Sequence, residues 1–155
     1  MHDWQLAYLG RHAFPADVTD FELRQAFTFD ELEREEIRRS FRSRLRIGVA
    51  LQLGFLRLTG TTLDLLEYVP TTVLRHVGLQ FALPAPDLAT LRGLYRREKT
   101  RSAHQRWVIQ YCGFRELDTR AEELLLTFIC ERTHGSILRP RLSSMLVLGY
   151  IRTRI

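Results

Sequence analysis

The chain has 155 residues, 45% of them apolar, with a formal charge of +5 and a pI of about 9.8. This length is enough for one domain whose core needs neither disulfides nor a metal. No basic region followed by an apolar run marks a secretory signal, and the longest apolar run, 45–58, is interrupted by charges and too short to span a bilayer. We therefore expect a cytoplasmic protein.

The charge is unevenly distributed along the chain. Residues 1–36 carry nine acidic and three basic side chains, whereas residues 37–155 carry nine acidic and twenty basic ones. Of the 23 cations, 22 are arginine, whose planar fork suits bidentate contacts with phosphate or guanine. Such a surface favours a polyanionic partner, because binding releases counterions condensed on nucleic acid. The alternative is a solvated surface on a basic protein from a GC-rich genome.

Helix signals begin early in the chain. A short helix is predicted across 20–26. Thr28-Phe-Asp-Glu31 has the spacing of a capping box, which predicts that a longer helix begins there and runs to about Phe41.

The most apolar segment predicts a central helix. Residues 47–58 are apolar on nearly every side, which indicates burial by neighbouring helices. Gly48 and Gly54 would let those neighbours approach closely. Residues 59–62, Thr-Gly-Thr-Thr, should end this helix.

Further helices are predicted in the second half. One begins near Pro70 and runs through Val77, and another follows the N-cap candidate Asp87. Thr100 or Ser102 is expected to cap the next helix, which should end at Gly113. Its predicted buried residues are Trp107, Val108, Tyr111 and Cys112. Two more helices are predicted over 118–135 and 140–150, and no segment has a convincing strand pattern.

These patterns predict an all-α fold, a compact domain of about six to seven helices over residues 1–155. The chain ends at Ile155 directly after a predicted helix, which suggests a fragment of a longer protein.

Patterns typical of catalysis or metal binding are missing from the sequence. Cys130-x-x-x-His134 places two metal ligands on one helical face, with Cys112 as a third, but a structural zinc site needs a fourth. There is no Gly-x-Ser-x-Gly, no Walker-type loop and no dinucleotide fingerprint. We expect no enzyme activity, no metal and no cofactor in these residues.

Two basic clusters remain as candidate sites. The first, between 38 and 46, could form a solvated turn paired with Glu33, Glu35 and Glu36. The second, between 92 and 106, straddles a turn and the start of a helix, where a helix-turn-helix element places its DNA-reading residues. Arg101, His104 and Gln105 are spaced i, i+3 and i+4, so one face is expected to present all three to base edges. Tyr95 is interpreted as a core residue.

Several of these segments together resemble a known family. Residues 42–60, Pro70 with 73–74, 95–105 and 113–115 resemble the N-terminal domain of the large replicative transposases of the Tn-three family, in order and spacing over roughly 14–150. The resemblance implies a bacterial, nucleoid-associated DNA-binding domain that recognises terminal inverted repeats. It also implies that the DDE catalytic triad and its Mg²⁺ belong to a distant domain. A homodimer is one option for the full-length protein, whose oligomeric state the sequence leaves open.

The sequence thus predicts a non-catalytic module that binds double-stranded DNA at transposon ends. Helix geometry and charge assign base reading to Thr100, Arg101, His104 and Gln105. The same reasoning assigns phosphate contact to Arg42, Arg44, Arg46, Arg96, Arg97 and Lys99. The alternative is a protein-interaction or dimerisation domain in which the acidic N-terminal segment pairs with the basic patches.

Overall fold

The computed structural model describes residues 11–64, 66–116, 119–120, 123–124, 126–127 and 150–152. Within that part, the fold is all-α, as predicted. Its helices are α1 (Asp20–Phe27), α2 (Glu31–Ser40), α3 (Ser43–Thr59), α4 (Thr71–Gln80), α5 (Leu88–Tyr95) and α6 (Glu98–Tyr111). None of the helices in the described residues is long and apolar enough to cross a membrane.

The chain divides into two compact units, Met1–Val108 and Ile109–Ile155. The second contains a short antiparallel strand pair, β1 (Phe114–Glu116) and β2 (Tyr150–Arg152). The sequence did not predict this pair, and the prediction that the last helix contains Tyr150 and Arg152 is wrong, because both residues lie in β2. Most of the two helices predicted over 118–135 and 140–150 falls outside the described residues, and a single domain over 1–155 stays a prediction.

The first two helices begin at capping boxes other than the predicted one. Asp30 is the N-cap of α2: its carboxylate accepts from the Glu33 amide at 2.8 Å, and the Glu33 carboxylate accepts from the Asp30 amide at 3.1 Å. Thr19 and Glu22 form the same arrangement at α1. The predicted box at Thr28 is wrong, because the backbone there is extended and leads into the buried Phe29.

Helix α3 occupies the centre of the first unit. All its residues from Ile47 to Thr59 except Arg57 are buried, and it packs against α1, α2 and α4. The prediction of a buried central helix is therefore confirmed. The helix ends at Gly60, whose φ of 75° is in the left-handed region that favours glycine.

Both glycines of α3 permit close contacts, as the sequence predicted. A Cβ on Gly54 would lie 2.1 Å from Cδ1 of the buried Phe27, whose ring stacks on Phe14. A Cβ on Gly48 would lie 3.1 Å from Cε2 of Tyr95 and 3.3 Å from Cε1 of His104. Helix α1 therefore packs at one glycine, and α5 and α6 pack at the other.

Helix α6 begins earlier than expected. Helix α5 ends at Tyr95 with Arg96 as its C-cap residue, and α6 starts at Glu98. Thr100 and Ser102 therefore lie inside α6, and neither is its cap. Val108 is buried as predicted, Trp107 is half-buried, and Tyr111 is exposed rather than buried. Asp87 is the N-cap of α5, as predicted.

We expect Gly54→Ala to lower the free energy of unfolding by about 1–3 kcal/mol, because its methyl group would overlap the Phe27 ring. Gly93→Ala is the matched control in α5. Nothing lies within 4 Å of the position that a Cβ would take there, so this change should raise stability by about 0.5–1 kcal/mol through helix propensity. Urea unfolding measures both values, and equal stability of the two variants would contradict the close packing of α1 on α3.

Candidate nucleic-acid interface

Two arginines of the first cluster pair with carboxylates of their own helix. In α2, Arg38 lies 3.0 Å from Glu31 and Arg39 lies 2.6 Å from Glu36. Hydrogen bonds from Arg34 and Arg38 lower the pKa of Glu31 below its ordinary value. Pairing is therefore found for the part of the cluster within α2, but of the three predicted partners only Glu36 takes part, and Glu33 pairs with Arg57 of α3 instead.

The Arg46 side chain bonds the protein's own backbone. Its Nε donates to the Phe41 carbonyl oxygen at 2.9 Å, and Nη2 donates to the Arg38 carbonyl oxygen at 3.1 Å. These carbonyls belong to the C-terminal end of α2, where helix carbonyls lack intrahelical donors. The guanidinium of Arg46 thus joins the end of α2 to the first turn of α3.

Arg42 and Arg44 are exposed at the N-terminal end of α3. Arg42 is the N-cap residue, no side chain caps the helix, and the first turn contains no acidic residue. Within the described part of the chain, neither guanidinium forms an ion pair.

The second cluster presents three more exposed cations. Arg96 and Arg97 connect α5 to α6, and Lys99 lies in the first turn of α6. None of the three forms an ion pair with another described residue. Thr100 is half-buried. The turn therefore presents these three positive charges to solvent, with one exposed carboxylate, that of Glu98, among them.

A groove brings the two basic clusters together. It has a volume of about 380 Å³ and lies between the first turns of α3, the segment before α5, and α5 itself. Its apolar lining includes Ile47, Leu83, Leu91 and Leu94, and its cations are Arg44 and Arg97. We call it the Arg44–Arg97 groove. The clusters are distant in sequence, but one continuous surface contains members of both.

Two predicted base-reading residues contact the segment before α4 instead. Nε2 of Gln105 donates to the Leu63 carbonyl oxygen at 2.8 Å and to Oδ1 of Asp64 at 3.0 Å. Nη1 of Arg101 donates to the Asp64 carbonyl oxygen at 3.4 Å. The side-chain amide of the buried Gln52, in α3, also bonds Leu63: it donates to the Leu63 carbonyl oxygen and accepts from the Leu63 N–H. These bonds hold the segment against α6 and α3.

His104 lies in the core. Only 1% of its surface is exposed, and its ring contacts Phe41 edge-on at 5.2 Å between centroids. Nδ1 lies 3.0 Å from the Tyr95 hydroxyl, which donates to the Gly48 carbonyl oxygen at 2.9 Å. The expectation that one exposed face presents Arg101, His104 and Gln105 is therefore wrong. The rotation of α6 about its own axis places His104 in the core. Tyr95 is also a core residue, as predicted.

The hydrogen bonds around Tyr95 assign the proton of His104. Because the hydroxyl proton goes to Gly48, the oxygen accepts from Nδ1–H, and Nε2 of His104 is left unprotonated. Nε2 is buried without a hydrogen-bond partner among the described residues. A second proton would place a charge in this apolar site, and burial accordingly lowers the pKa of His104 to about 4. Burial also raises the pKa of Tyr95 far above its ordinary value.

Metal ligands are not brought together in the described part of the chain, where no three His, Cys, Asp or Glu side chains cluster. Cys112 is half-buried. Cys130 and His134 lie outside the described residues.

The sequence reasoning missed the junction of Gly48, Tyr95 and His104. The available signal was the i, i+4 spacing of His104 and Val108, which places the histidine on the apolar stripe of α6. The sequence prediction also placed Arg106 in the second cluster but did not select it as a site residue, although the Arg106 side chain is exposed.

The fold and this surface define an all-α protein region with a groove between α3 and α5 that two arginines line. Residues 5–153 match the family described as Domain of unknown function (DUF4158), and the chain belongs to that family. Over 135 residues it is 32% identical to the transposase for insertion sequence element IS1071 in transposon Tn5271 from Comamonas testosteroni. That match covers 87% of this chain and 14% of the transposase. No solved structure matches.

The neutral state of His104 should make stability depend on pH. Because its folded pKa of about 4 lies below its ordinary value of 6.5, the unfolded chain binds a proton first as the pH falls. Stability is therefore fully present above pH 6.5 and declines towards pH 4, by up to about 1.4 kcal/mol per pH unit for this proton. Urea unfolding across this window measures the slope, which should be smaller in His104→Asn.

His76→Asn is the matched control for this experiment. Burial and the nearby Arg24 also lower the pKa of His76, so this residue adds its own, separate contribution. The control should therefore retain the part of the slope that His104→Asn loses. An unchanged slope in His104→Asn would contradict the buried, neutral state of His104.

Proposed function

We propose that this chain is a DNA-binding, non-catalytic part of a transposase and that it recognises the terminal inverted repeats of its transposon. The observation that carries the proposal is the Arg44–Arg97 groove, because it joins cations from both basic clusters on one surface. Five exposed side chains at and beside this groove have no ion-pair partner among the described residues. They are Arg42, Arg44, Arg96, Arg97 and Lys99.

Similarity to a transposase supports DNA as the polyanion. A protein that moves a DNA element must hold the ends of that element, and fixed cations are the usual means of holding phosphate. The relative is named as a transposase of an insertion sequence, and the family match extends over most of this chain. In our proposal the partner is double-stranded DNA in the bacterial cytoplasm.

In this proposal the five exposed cations contact phosphates, and α5, the Arg96–Arg97 turn and α6 act as a helix-turn-helix-like element. Arg46 and His104 are left out, because the first bonds carbonyls of α2 and the second is buried. Arg101 and Gln105 are also left out, since their polar groups already bond the 63–64 backbone.

Catalysis belongs, in our proposal, to another part of a longer protein. The chain spans 14% of the length of the transposase it matches. In the same proposal, DDE chemistry and its Mg²⁺ belong to the rest of that longer protein.

The alternative interaction domain requires the acidic segment to neutralise the basic patches. Glu31, Glu33 and Glu36 of α2 pair with arginines of α2 and with Arg57 of α3, and two of these arginines, Arg38 and Arg39, belong to the first cluster. None of these ion pairs involves Arg44 or Arg97. In the described residues, the pairing that the alternative requires therefore does not include the cations of the groove.

Fluorescence anisotropy of labelled duplexes tests the proposal. The chain should bind a duplex with the terminal inverted repeat more tightly than a scrambled duplex, and this preference should persist as salt rises. Arg44→Ala and Arg97→Ala should weaken binding to both duplexes and reduce the slope of log affinity against log salt by about one each.

Arg75→Ala is the charge-matched control, because Arg75 is exposed on α4 and does not line the groove. It should leave the salt slope close to that of the wild type. Equal binding of repeat and scrambled duplex would refute recognition of the repeat. Absence of DNA binding, together with self-association that depends on concentration, would favour the interaction domain.

A further inference from the structure

Helix α6 has one outward face in the first unit. Lys99, Ala103 and Arg106 are all exposed, and their spacing of i, i+4 and i+7 places them in one stripe along the helix. Neither charged member forms an ion pair with another described residue. We call these three residues the outer stripe of α6.

The other faces of α6 are occupied. His104 and Val108 are buried in the core, and Arg101 and Gln105 bond the 63–64 backbone. Contact with a partner along this stretch of the helix is therefore left to the outer stripe. The stripe has a small residue at its centre and a cation on either side.

The cations proposed to contact phosphate lie close to the outer stripe. Phe41, immediately before Arg42, packs edge-on against His104 at 5.2 Å and against Trp107 at 5.4 Å between ring centroids. The start of α3 therefore lies alongside α6. Arg97 directly precedes α6 and lines the groove with Arg44.

This arrangement matches the requirements for reading DNA in its major groove. A reading helix needs an uncovered face, cations beside it to hold the phosphates, and a side chain able to contact base edges. The long fork of Arg106 suits the O6 and N7 acceptors of guanine, and the methyl group of Ala103 suits apolar contact with thymine. A small residue at the centre also lets the helix backbone approach the bases.

We propose that the outer stripe of α6 enters the major groove, where Ala103 and Arg106 contact base edges and Lys99 holds phosphate, with Arg106 as the main specificity-determining residue. This inference rests on the proposed function and moves base reading away from Arg101, His104 and Gln105. Lys99, at the start of the helix, lies between the phosphate-binding surface and the base-reading residues.

The test compares affinity for the inverted-repeat duplex with affinity for a scrambled duplex, and follows the ratio of the two. Arg106→Ala should lower this ratio by roughly 5- to 150-fold, which is the loss expected for one bidentate base contact. Arg97→Ala should weaken both duplexes equally and leave the ratio unchanged, because it removes a phosphate contact. Thermal unfolding verifies that the variants remain folded.

Ala103→Gln tests the stripe without changing its charge. The longer side chain should block close approach to the bases and lower the ratio, whereas Ala89→Gln, on the exposed side of α5, should not. Gln105→Ala should also leave the ratio near the wild-type value, because Gln105 bonds the protein backbone. This comparison uses Gln105→Ala protein that thermal unfolding shows to be folded.

The outcomes separate the two proposals. If the wild type prefers the repeat and both Arg106→Ala and Ala103→Gln retain that preference, the outer stripe does not read bases, and the proposed function stands. If the wild type binds both duplexes equally, recognition of the repeat fails and the inference fails with it. Loss of preference in both stripe variants, with the controls unchanged, supports the inference.

Discussion

The buried hydroxyl of Tyr95 joins three helices of the first unit. It belongs to α5, donates to the Gly48 carbonyl oxygen of α3 and accepts from His104 of α6. The absence of a side chain at Gly48 makes this approach possible. Because a buried polar group without a partner costs about 1–3 kcal/mol, this junction strongly favours one arrangement of the three helices. The position of Arg97 relative to Arg44 depends on that arrangement.

The arginines of this chain divide into two groups according to their partners. Some bond carboxylates or backbone carbonyls and thereby fix the fold: Arg38 and Arg46 at the end of α2 are examples, and Arg92 bonds the Leu66 carbonyl oxygen at 3.1 Å. Others, such as Arg44 and Arg97, have no ion-pair partner in the described residues. Carboxylates balance the charge of Arg38 locally, whereas Arg46 and Arg92 bond neutral carbonyl oxygens and keep their charge. The cations at the groove and in the outer stripe of α6 differ from both, because they are exposed and have no ion pair in the described residues.

The sequence predicted the helices well and their contacts poorly. Apolar periodicity was sufficient for the buried α3, and the glycines at 48 and 54 correctly indicated close packing. The charge clusters identified the groove cations. His104 was misplaced because it was grouped with its polar neighbours, although its i, i+4 spacing with Val108 places it on the apolar stripe of α6. Its contacts with Tyr95 and Gly48 are tertiary and could not be predicted from the sequence. The bonds of Arg101 and Gln105 to residues 63–64 are likewise tertiary contacts without a local signal.

The central claim is that cations from two distant segments act as one DNA-binding surface. The most direct test is a titration of the ¹⁵N-labelled chain with the inverted-repeat duplex, followed through the arginine Nε–H signals in NMR spectra. Our account predicts that the signals of Arg44 and Arg97 shift together and saturate at the same DNA ratio, while that of Arg75 stays unchanged. A shift of only one groove arginine, or of neither while the duplex is bound, would contradict the claim.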